Sequence, residues 1–142
     1  MNNNTLIKLE FNKIQEQLAG QCSFEGGRNK VLSRNPSSQE QEVERWLDET
    51  GEAMEALRYG EPGFLTGLEL LDHHLAKARA DGILYPPELY NIMRSLYATR
   101  MAIQYVGKEK CPRLSSLLAG LQHEPGLEKE LRKTISEEGD LR

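Results

Sequence analysis

No apolar run in this 142-residue chain approaches the roughly 18 residues that a helix needs to cross a bilayer. Cysteine is nearly absent. Cys22 and Cys111 stand far apart and supply no disulfide framework, so a reducing compartment, the cytoplasm, is expected. Met1-Asn2-Asn3-Asn4 offers neither a basic n-region nor an apolar h-region, so secretion is not expected. Strand-period alternation, internal repeats and low-complexity tracts are missing as well. Aromatic residues make up only 6% of the chain, which leaves few platforms for stacking bases. What remains is 38% hydrophobic and 28% charged, the composition of a globular domain, and long enough to bury a core.

The apolar residues that are present recur at helical spacing. Ile7, Phe11, Ile14 and Leu18 form one stripe, capped by Thr5 and ended by Gly20. Gly26-Gly27 reads as a turn within residues 23–28, and a short helix through Val31 and Leu32 stops before Asn35-Pro36. Ser37 or Ser38, with Glu40 or Gln41 three residues on, predicts a capping box for a helix carrying Val43, Trp46, Leu47, Met54 and Leu57. Gly51 weakens that helix without ending it, and Arg58 and Gly60 close it. In the loop that follows, Phe64 and Leu65 should tuck under neighbouring helices.

Leu68, Leu71, Leu75 and Ala78 predict a further helix up to Asp81-Gly82. Pro86-Pro87 then fixes the first turn of the clearest one, which runs through Leu89, Ile92, Leu96, Ile103 and Val106 to Gly107. Lys108 to Pro112 reads as a solvated loop. Short amphipathic helices follow at Leu114, Leu117, Leu118 and Leu121, and at Leu127, Leu131 and Ile135. The expected fold is all-α, a bundle-like single domain of about six to seven helices spanning 1–142.

Chemistry-bearing patterns are few. Gly26-Gly27 lacks the preceding strand and following lysine of a phosphate loop. His73 and His74 are adjacent, hence about 100° apart on a helix, and cannot chelate one metal as an i, i+4 pair does. Cys111 has basic neighbours that could lower its pKa, but no histidine partner is evident. Glu137, Glu138 and Asp140 read as solvated or capping carboxylates. Trp46 reads as a core residue, with an interface anchor as the other reading.

Charge is uneven. Residues 37–72 hold ten acids against two bases, whereas residues 86–113 hold five bases, Arg94, Arg100, Lys108, Lys110 and Arg113, against two acids. Those five are the candidate nucleic-acid contacts, although the net charge of −4 argues against a whole-surface footprint. The acidic stretch is either a solvated face or a surface that meets a basic one.

The ordered pattern resembles a known family. Leu9-Glu10-Phe11-x-x-Ile14 is followed by Glu42-Val43-Glu44-Arg45-x-Leu47-x-Glu49-Thr50-x-Glu52-Ala53. Gly82-Ile83-Leu84-x-Pro86-x-Glu88-Leu89 comes next, and the tail is Ile135-Ser136-Glu137-Glu138-Gly139-Asp140-Leu141. From Leu6 to Arg142 this is similar to the N-terminal region of the second bacterial MutS paralogue, the branch with a C-terminal Smr nuclease domain. The resemblance implies a truncated piece of a MutS-type helical core, passing ATP-driven movement from an ATPase to a DNA clamp. It implies a homodimeric full-length protein that uses ATP and magnesium. That protein would act on branched DNA in recombination suppression and repair, or split collided ribosomes. The ATPase, clamp and nuclease parts lie elsewhere, so no catalytic, cofactor or metal residue is assigned here, and this piece is not expected to be an enzyme. The alternative is a stand-alone helical domain that binds protein or nucleic acid.

Overall fold

The computed structural model describes residues 3–107 and 110–142. Among the described residues there are eight α-helices, seven of them of seven residues or more, and no strand. The all-α expectation holds. The helices are α1 (Asn3–Lys8), α2 (Phe11–Gly20), α3 (Glu25–Ser33), α4 (Glu40–Leu57), α5 (Asp72–Arg79), α6 (Pro86–Val106), α7 (Pro112–Leu118) and α8 (Pro125–Thr134). A 3-10 turn at Gly63–Leu65 joins α4 to α5.

α6 organises the second half of the molecule, packing against α7, α8 and the 3-10 turn. Its start follows from its sequence. The prolines occupy positions whose amides have no helical partner, and Glu88 reaches back to accept the Tyr85 N–H at 2.7 Å. The same carboxylate accepts Lys77 Nζ at 2.7 Å, which ties α5 to the start of α6. Phe64 in the 3-10 turn meets Tyr105 of α6 edge to face, with ring centroids 5.9 Å apart, so this part of the loop tucks in as its apolar pair predicts. The Tyr105 hydroxyl sits 2.9 Å from the Ala56 carbonyl and 2.7 Å from that of Gly60, joining the end of α4 to α6. At the tail, Ser136 N–H donates to the Asp140 carbonyl at 2.8 Å. Gly139, at φ +86°, places its bare α-carbon against the Tyr90 ring, where a side chain would be strained.

The first half is a thinner layer. α2 packs on α1 and α3. The Gln15 side-chain amide donates to the carbonyls of Val31 (3.1 Å) and Arg34 (2.6 Å), satisfying acceptors that the end of α3 leaves open. The Arg34 guanidinium lies 4.1 Å from the centre of the Trp46 ring and links this layer to α4.

Several local expectations need correction. Thr5 lies inside α1 rather than capping it, and the Ile7–Leu18 stripe is split because Glu10 adopts a left-handed conformation, φ 55°. Gly26-Gly27 is no turn but the first turn of α3. A Cβ on Gly26 would stand 2.4 Å from the Phe24 ring, so the glycine makes room for that ring. The capping box at α4 does not form: Gln39 is the cap residue, and Ser37 Oγ accepts the Gln39 N–H instead. α5 begins at Asp72, leaving Leu68 and Leu71 in the approach to it. Within the expected 108–112 loop, Cys111 is buried and Pro112 opens α7, while Lys108 and Glu109 lie outside the described residues.

Candidate functional site

The acidic and basic stretches meet each other inside the molecule. Arg113 at the start of α7 pairs with Asp48 of α4 at 2.6 Å, and Glu52 accepts the backbone amides of Arg113 (2.9 Å) and Leu114 (3.0 Å). A carboxylate at a helix N-terminus compensates both the open amides and the helix dipole. Arg94 is equally occupied. It donates to the Thr66 carbonyl and lies 5.8 Å from the Tyr90 ring centre, holding the loop after the 3-10 turn. Arg100 donates through Nε (3.1 Å) and one terminal amine (3.0 Å) to the two oxygens of Glu128. Lys110 is exposed, and Lys108 lies outside the described residues. The structure therefore gives Arg94, Arg100 and Arg113 separate partners rather than one shared surface.

Glu128 is the centre of the most connected polar site. It is 5% exposed, and besides Arg100 it accepts His123 Nε2 at 2.8 Å and Arg132 Nε at 3.1 Å. The Arg100 hydrogen bonds, above all, lower its pKa from 4.5 to about 2, against the opposing effect of burial; His123 and Arg132 add to the lowering. Since the carboxylate is ionised and only accepts, His123 must carry a proton on Nε2. Glu88 is likewise lowered from 4.5 to about 2, first by the Lys77 hydrogen bond and then by the Tyr85 amide. Sequence reasoning missed Glu128 because its partners come from α6, the α7–α8 link and α8. Only the i, i+4 spacing of Glu128 and Arg132 was visible in the sequence.

Against these tied polar groups stands a large uncovered apolar surface. Ile7, Ile14 and Leu18 on α1 and α2, and Leu9 between them, are 55–63% exposed, and Leu47 and Met54 on α4 exceed 60%. The buried hydrophobic residues are few: Ala19, Met93, Ala98, Val106, Cys111 and Ile135. A folded monomer of 16.1 kDa should expose about 7,400 Å². This chain exposes 10,691 Å². Phe11, Ile14, Leu18, Val31 and Trp46 line an open cleft of about 340 Å³ between α2, α3 and α4. Trp46 is thus half-buried at the wall of a cleft rather than sealed in a core.

Among the described residues, no three His, Cys, Asp or Glu side chains converge as metal ligands, and both cysteines are free. No helix there is long and apolar enough to cross a membrane. Gly26-Gly27, under the Phe24 ring in α3, has no strand before it and cradles no phosphate. What fold and site define is an all-α segment that uses its charges to brace its own helices and leaves much apolar surface uncovered.

No family model matches the chain, and no solved structure matches it. Curated relatives do. The chain is 34% identical over 144 residues to the endonuclease MutS2 of Geobacillus kaustophilus, covering 96% of this chain and 18% of that protein. It is 33% identical over 138 residues to that of Geobacillus thermodenitrificans, covering 94% and 18%. With Symbiobacterium thermophilum MutS2 it shares 32% identity over 146 residues, covering 100% and 18%. The chain is a homologue of the MutS2 endonucleases over a shared segment that amounts to less than a fifth of their length.

Proposed function

We propose that the chain serves as an N-terminal helical coupling segment of a MutS-family endonuclease. The observation that carries this reading is the uncovered apolar face, with Ile7, Leu9, Ile14, Leu18, Leu47 and Met54 exposed, in a chain whose total exposed surface is about 3,300 Å² beyond that of a folded monomer of this mass. An exposed apolar face of this kind is what permanent interfaces cover. Its occupants in this reading are other domains of the same protein, whose relatives are more than five times longer than the shared segment.

The braced half supplies the rigidity such a role needs. Packed helices tied by ion pairs move as a body and rearrange in discrete steps, so a rotation applied at one face reaches another. In this reading ATP and magnesium act in parts of the full-length protein outside this chain, as does the nuclease. The substrate is branched DNA or a collided ribosome, in recombination suppression, repair or ribosome quality control. The whole protein works as a cytoplasmic homodimer, and this segment has no turnover of its own.

The test is direct. The purified chain is assayed for ATP hydrolysis and DNA cleavage, and for binding of an apolar-surface dye before and after it is joined to the remainder of its protein. The expected result is no turnover above blank and a several-fold fall in dye binding on joining. Measurable turnover, or unchanged dye binding, overturns the proposal.

A further inference from the structure

The geometry points to a nucleic-acid phosphate-binding point on α8, formed by Arg132 and Lys129, that the coupling role does not use. Glu128 carries one negative charge yet receives donors from Arg100, His123 and Arg132. Two guanidinium ions share one carboxylate, so the cluster keeps an excess of positive charge. Arg132 spends only its Nε on Glu128. Its guanidinium also lies 5.2 Å from the centre of the Tyr97 ring, with the Arg100 guanidinium at the same distance from that ring.

The side chain is therefore fixed along its Nε edge and one face while remaining 50% exposed. Its two terminal amines make no hydrogen bond among the described residues, leaving the edge that bonds a phosphate in bidentate fashion. Lys129 is exposed and has no ion-pair partner among the described residues. Both side chains line an open cleft of about 500 Å³, together with Arg100, His123, Lys133 and the Glu128 carboxylate that the cluster neutralises. Lys133 is paired with Glu130 at 2.7 Å and is less available.

A shallow cleft with no closing wall suits a phosphate presented along a polymer backbone, because a free nucleotide gains most from enclosure. Sequence composition concealed the point. Residues 124–133 hold three acids against three bases, and only burial of Glu128 and the crossing of α6 reveal which cations are left over.

The experiment measures binding of labelled duplex DNA and single-stranded RNA to the intact protein by anisotropy, over a range of salt concentrations. Lys129→Gln, which breaks no internal contact, is expected to weaken binding several-fold and to reduce the salt slope by about one. Arg132→Gln is expected to weaken it about tenfold, the loss of a charge-assisted pair. Arg132→Lys should recover only part of that. Arg58→Gln, which removes a charge elsewhere on the surface, should leave binding unchanged. Binding unaffected by Lys129→Gln, or no binding at low salt, overturns the proposal. Displacement of the nucleic acid by millimolar inorganic phosphate or mononucleotide at constant ionic strength assigns the point to a small anion and also overturns it.

Discussion

Helices α1–α3 and helices α4–α8 are held together differently. Among the described residues the only ion pair within α1–α3 is Lys13–Glu10, three residues apart and on the surface. Its polar tie of longer range is the Gln15 amide at the end of α3. The α4–α8 half instead has charged pairs between α5 and α6, α6 and α8, and α7 and α4. Both halves expose large apolar side chains, Ile14 and Leu18 in one and Leu47 and Met54 in the other, but only α4–α8 has charged pairs that tie one helix to another.

The sharpest way to break this contrast is Glu128→Gln, which leaves Arg100 and Arg132 without their shared counter-charge. A loss of about 3 kcal/mol is expected in urea unfolding, with hydrogen exchange accelerated in α6 and α8 and little changed in α2 and α3. Acid should divide the halves in the same way. Glu88 and Glu128 have pKa values lowered from 4.5 to about 2 in the folded chain, so their stabilising contribution is complete above about 4.5. It is lost as pH falls from there towards 2. Amide exchange followed through this window should show α5–α8 loosening progressively, and an α5–α8 half indifferent to pH would refute the bracing.

Smaller effects sharpen the other side of the comparison. Gln15→Ala removes the tie within the first layer and should cost about 1 kcal/mol, read as faster exchange at the end of α3. Leu18→Asp, at a position 55% exposed, should change the stability of the isolated chain by less than about 0.5 kcal/mol. In the joined protein the same substitution should prevent the dye-excluding contact. Equal effects in both settings would mean that the face stays uncovered.

The parts of this fold legible in the sequence are those fixed by local chemistry. Pro86-Pro87 sets the start of α6 because the ring constrains φ wherever it occurs, and Asn35-Pro36 limits α3 for the same reason. Glu10 was not legible. A left-handed glutamate is unfavourable locally and follows from how α1 and α2 meet. Gly26 misled because its small size answers to the Phe24 ring rather than to a turn. The basic residues of 86–113 were visible as charges, but whether a charge is spent depends on a partner from another helix. Arg113 finds Asp48 and Arg100 finds Glu128, so charge counting along the chain favoured residues already engaged. Arg132 was passed over although part of its guanidinium is free.

One phenol decides how α4 ends. A hydroxyl has a single proton, and Tyr105 offers it to two carbonyls, those of Ala56 and Gly60, four residues apart. Both acceptors are held within reach of one oxygen, so a single side chain of α6 fixes the last turn of α4 and the residue at which the chain leaves it. Tyr105→Phe would free both carbonyls at once and unpin this corner.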